Sequence, residues 1–149
     1  MKDVPIQQKL ALLLFALGGV SHVVFGLVYL SASEFMPYHS QALSIDWSDL
    51  DSDYQTLLLA LIKLTGAGGL IAGIINLWMV IYFYRRRMTM LIWVLPVTSV
   101  VFHLVLNYAV YIVDTHTPGN PPLTTVTVGS IAFFVATCLL IIGFRRSHA

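Results

Sequence analysis

The sequence predicts an all-α integral membrane protein, a four-helix bundle with both termini on the cytoplasmic side. Four apolar runs, 9–33, 55–84, 88–114 and 123–144, each reach the roughly 20 residues needed to cross a hydrocarbon core about 30 Å thick. Charged residues make up only 10% of the chain, where a soluble domain carries roughly a quarter. The charges are also sorted. Lys2, Lys9, Arg85, Arg86, Arg87, Arg145 and Arg146 border one set of span ends, whereas Glu34, Asp46, Asp49, Asp51, Asp53 and Asp114 lie at the other. Lys/Arg excess marks the cytoplasmic side, which predicts N-in/C-in topology.

The remaining composition agrees. Of 149 residues, 58% are hydrophobic, and mean hydropathy is +0.83. The longest polar stretch, 34–54, is too short for a core of its own, so residues 1–149 form a single domain. Net charge is +1, which excludes an electrostatic case for nucleic acid. Cys138 is the single cysteine, so no Cys-x-x-Cys redox pair exists within the chain.

The first run starts with Lys2 and Lys9 and ends near Ser31-Ala32-Ser33, as a signal peptide would. Its apolar stretch exceeds the usual 7–15 residues of a signal core, and a retained span is expected. Gly18, His22, Gly26 and Tyr29 recur at three- and four-residue spacing on one face. The small residues suit close helix packing. Pro37 is expected to close this helix near Glu34, since proline lacks the N–H a helix needs. In the loop, Ile45, Trp47 and Leu50 among polar residues suggest a short interfacial helix, with Trp47 and Tyr54 at headgroup depth. Asp49, Asp51 and Asp53 have the spacing that opens a calcium loop, but the sixth position is Tyr54 and the twelfth Ala60, where Gly and Glu are required. Their expected role is to meet the positive end of the following helix.

The second run contains Lys63 and a glycine-rich segment in which Gly69 and Gly73 form a small-xxx-small pair. The short turn after Arg85 predicts that spans two and three are antiparallel neighbours. Span three carries Pro96, an expected kink, and then Ser99, His103, Asn107 and Asp114 along one face. Thr115 to Pro122 is too rich in proline and glycine to be helical. Span four offers only scattered hydroxyls and Cys138.

Ionisable residues inside a bilayer mark functional sites by default, and the spans hold His22, Lys63 and His103. At 1.5 Å per residue, both histidines lie roughly 16 Å below the outer boundary and Lys63 roughly 12 Å. The three are expected to converge in the outer half of the bundle with Asn107 beside them. The preferred reading is an outward-facing polar pocket, formed by His22, Lys63, His103, Asn107, Ser99 and Tyr29, that binds an amphiphile such as a lipid or quinone. A second reading is structural, with the histidines bonded across the bundle and Lys63 snorkelling outward. A third has His22 and His103 as axial ligands of a haem, with spans one and three diagonal. A metal site of His39, His116, Asp114 and Glu34 lacks tight ligand spacing within one element. No nucleophilic triad, paired membrane carboxylates or dithiol is present to make the isolated chain an enzyme. The expected partners are membrane lipid, an amphiphilic small molecule, and a membrane-protein partner or second copy of the chain.

The Gly18-Gly19-Val20-Ser21-His22 segment followed by Met36-Pro37, with Thr65-Gly66-Ala67-Gly68-Gly69-Leu70 in span two, resembles DoxX-like small four-span bacterial membrane proteins. The resemblance covers about half the chain. It implies the four-span fold and a place as an accessory subunit of a respiratory or thiol-linked oxidoreductase assembly. Lys63 departs from the pattern, which often has an acidic residue before the glycines, and so does His103.

Overall fold

The computed structural model of the protein describes residues 4–86 and 88–148. It is all-helical: α1 (Ile6–Ser31), α2 (Pro37–Leu43), a single 3-10 turn (Trp47–Asp49), α3 (Ser52–Arg86), α4 (Leu91–His116) and α5 (Leu123–His148). α1, α3, α4 and α5 are long and apolar enough to cross a membrane. In lipid, a helix satisfies its backbone polar groups within one segment, so apolar runs of this length have no other stable form. α3, with 35 residues, is roughly 50 Å long at 1.5 Å per residue and exceeds the hydrocarbon thickness.

The outer loop departs from expectation. α1 stops at Ser31, and Pro37 opens α2 instead of closing α1. Proline suits a first helical position because its missing N–H would be unpaired there anyway. The His39 ring helps hold this start, its Nδ1 accepting the Met36 N–H at 3.1 Å. The segment around Trp47 forms only the 3-10 turn. Asp51 caps α3: its carboxylate accepts the Asp53 N–H at 3.3 Å, and its carbonyl accepts the first intrahelical bond from Gln55 at 2.9 Å.

α1 is the central helix, packed closely against α3 and also against α5, while α4 rests on α5. The α1–α3 seam is built on glycine. A Cβ at Gly73 would stand 2.7 Å from the Gly19 carbonyl oxygen, and one at Gly66 would stand 2.8 Å from the Leu30 nitrogen. Backbone thus meets backbone, the close approach that small residues permit in membranes.

α3 and α4, although joined by a short turn, touch far less than the other neighbouring pairs. The expected close hairpin is therefore confined to one end. Near the arginine-rich turn, Met79, Val80 and Phe83 join Leu91, Ile92 and Leu95 in one core with Ala11, Leu12, Phe15, Phe133, Ala136 and Leu140. α4 runs as one helix through Pro96. Toward the acid-rich end the helices part, and a cavity opens among them.

Candidate functional site in the splayed half of the bundle

The cavity has a volume of about 770 Å³, within the usual size of a small-molecule site. Its floor is made by His22 of α1, Phe102 and His103 of α4, and Gly129 and Phe133 of α5. Leu58, Leu61 and Ile62 line one wall, with Leu106, Val110 and Val113 on another. Phe35, Tyr38, His39 and Ala42 close the acid-rich end. Among the described residues, no Lys, Arg, Asp or Glu lines it.

The floor results from specific local fits. Gly18 leaves room for the Phe133 ring, which lies where a Cβ would otherwise stand. Phe133 then stacks on His22, with centroids 5.6 Å apart and planes 6° from parallel, and packs on His103 at 4.5 Å. The two imidazoles face each other across the bundle with centroids 5.2 Å apart. His22 is only 9% exposed and His103 7%.

Their hydrogen bonding differs. His103 Nδ1 lies 2.9 Å from the Ser99 carbonyl. A carbonyl only accepts, so Nδ1 carries the proton, and in the uncharged ring Nε2 keeps a lone pair. That Nε2 looks toward Gly129, 3.6 Å from where a Cβ would stand. His22 Nδ1 is enclosed and has no hydrogen-bond partner. Nε2 is therefore the His22 nitrogen that can meet a ligand in the cavity.

The other expected site residues are placed as follows. Tyr29 lines the cavity and shares a 2.7 Å hydrogen bond with Tyr38. Ser99 stands behind His103 and outside the lining: its hydroxyl donates to Leu95 and its carbonyl orients the ring. Asn107 is also behind the wall, donating to the His103 carbonyl at 2.7 Å and to Ser130 of α5 at 2.6 Å. Lys63 does not join the histidines. Its ammonium donates to the carbonyls of Leu30 at 2.8 Å and Ala32 at 2.9 Å, at the end of α1. A cation there meets the carbonyls left unpaired at a helix C-terminus, which draws the side chain outward from the cavity.

The floor aromatics and the roof residues lie outside the polar face that the sequence marks. The spacing Val126-Gly129-Phe133 on α5 could have pointed to the floor, and Tyr38-His39 just after Pro37 to the roof. Burial pushes the Tyr38 phenol above its ordinary range, reinforced by its hydrogen bond to Tyr29. Burial pushes the His39 imidazole below its ordinary range.

Metal chemistry finds no support in the geometry. Among the described residues, no group of three or more His, Cys, Asp or Glu could hold an ion. His39 Nδ1 is occupied by Met36, and His116 bonds within its own turn. An iron held between two imidazoles, at about 2 Å from each nitrogen, would set their centroids roughly 6 Å apart. The observed 5.2 Å, with Phe133 against both rings, leaves no place for a macrocycle between them.

Fold and cavity define a small helical membrane protein of four candidate spans, splayed at one end around a largely apolar chamber with a histidine floor. No protein-family model, curated protein or solved structure matches the chain.

Proposed function

We propose that the protein binds an amphiphilic molecule in this chamber, with the apolar part against the leucine- and valine-lined walls and a polar group on the His22–His103 floor. The chamber lies in the half of the bundle away from the cytoplasm if the arginine clusters lie inside. The observation that carries this reading is a buried histidine without a partner at the base of an apolar cavity. The enclosed Nδ1 is out of a ligand's reach, so a ligand group bonds the ring at Nε2 from the cavity, a net gain of about 0.5–1.5 kcal/mol for a typical hydrogen bond.

A purely structural role fits less well. Histidines retained for packing would tie helices together, yet His103 bonds within its own helix and His22 bonds nothing. Asn107 and Ser130 make the cross-helix tie instead.

Entry from the bilayer is also provided for. Leu61 and Thr65 of α3 and Ala109 of α4 are exposed lining residues on helices that barely touch. A lipid-soluble molecule can pass such a seam without crossing water.

Filling the floor tests the proposal. Gly129→Leu directs a side chain toward His103 Nε2. Mass spectrometry of organic extracts should find a molecule retained by the wild-type protein and depleted at least about tenfold in the variant, with helix content unchanged. The same occupant in both proteins would end the proposal.

A further inference from the structure

We infer that the buried head of this ligand is an uncharged hydroxyl, as in a long-chain or ring-bearing alcohol or the reduced form of a quinone. The inference rests on the chamber being a ligand site and deepens it, because the floor discriminates among head groups.

Charge is excluded first. A phosphate or carboxylate taken out of water needs a cation or several donors, and no Lys or Arg lines the chamber among the described residues. Lys63, the basic residue within the outer half of a span, is committed to Leu30 and Ala32. A primary ammonium finds no carboxylate either.

Hydrogen-bond polarity then separates the neutral heads. The Ser99 carbonyl fixes the proton on His103 Nδ1, which makes Nε2 an acceptor in the uncharged ring. A ketone, quinone or ester carbonyl offers only acceptors and leaves that lone pair unmet. A hydroxyl donates to His103 Nε2 and, through its own oxygen, accepts from the His22 ring when the proton is on Nε2. The second bond is favoured because the enclosed Nδ1 of His22 has no acceptor nearby that would hold the proton there. Ring centroids 5.2 Å apart permit one oxygen to sit about 2.8 Å from a nitrogen of each ring. Both histidines are at least nine-tenths buried, so the two bonds form away from competing water.

The rings beside the floor add a shape preference. Phe102 and Phe133 flank His22 at centroid distances of 4.5 and 5.6 Å, so a slender or flat head fits and a bulky sugar or glycerophosphate does not.

The test uses the full chain in phosphatidylcholine nanodiscs and native mass spectrometry. Three probes of equal chain length are compared: a long-chain primary alcohol, the corresponding methyl ketone, and the carboxylic acid. The expected order is alcohol first, with the ketone and acid each bound about tenfold more weakly, the loss of one buried hydrogen bond. His103→Leu should remove the advantage of alcohol over ketone while leaving ketone binding in place. A ketone or acid that matches or exceeds the alcohol in the wild-type protein would overturn the hydroxyl assignment and leave the amphiphile pocket standing. Failure of all three probes to bind overturns the pocket, and the hydroxyl assignment with it. The wild-type ranking decides the question even where His103→Leu does not fold.

Discussion

Lys63 of α3 donates its ammonium to the Leu30 carbonyl of α1 at 2.8 Å, closing the end of one span with a side chain from the next. The Ala32 carbonyl shares the same nitrogen at 2.9 Å. A lysine that the sequence places in a polar pocket is thus a capping residue supplied by a neighbouring helix, and the lipid-side penalty of its charge is offset by carbonyls that otherwise lack donors.

Lys63→Met is expected to destabilise the bundle by about 1.5–3 kcal/mol, the range for hydrogen bonds to a charged group. Occupancy of the chamber should not change. Unfolding in graded denaturing detergent measures the first effect and extraction of bound molecules the second. A neutral Lys63→Met would remove the capping role.

The glycine seam should respond by position. Gly73→Leu drives a side chain into the Gly19 carbonyl and Val23 and should cost at least the 1–3 kcal/mol typical of overpacking. Gly68 has nothing within 4 Å of a built Cβ, so Gly68→Ala should be neutral or stabilising by up to about 1 kcal/mol through helix propensity. Equal effects at the two sites, read by thermal unfolding, would contradict the seam.

The roof should loosen in acid. His39 Nδ1 accepts the Met36 N–H only when that nitrogen is unprotonated, and burial holds the His39 pKa below the ordinary histidine value of 6.5. The opened segment therefore binds a proton more readily than the closed one. Closure is fully favoured above about pH 6.5 and weakens as pH falls toward the depressed value. Protection against hydrogen exchange at 36–44, corrected for the intrinsic slowing of amide exchange in acid, should fall on acidification, and His39→Gln, which keeps an acceptor, should flatten the response.

Orientation is testable by thiol labelling after Cys138→Ser. Ser44→Cys lies in the loop between α2 and α3, and Thr89→Cys in the turn between α3 and α4. A membrane-impermeant reagent applied to intact cells should label Ser44→Cys and spare Thr89→Cys, as expected from the basic turn lying in the cytoplasm. The reverse pattern would invert the topology.

The sequence alone determined the helical spans, because length, hydropathy and lipid leave a backbone of this kind one way to satisfy its polar groups. It also pointed to His22 and His103 as a pair at one depth, since helical rise converts residue counts into distance, and they do meet. Pro37 was readable as a helix boundary but not in its sense, because proline suits a first turn as well as a break. Only tertiary structure decided which helices pack. The glycine seam draws α3 onto α1 and leaves α4 to α5, so the loop-linked pair parts and the chamber exists. Tertiary structure also decided which polar residues face that chamber. Lys63 turned to the open end of α1, while Ser99 and Asn107 fell behind His103, because such bonds depend on where a second helix ends or passes, and no spacing within one span records that.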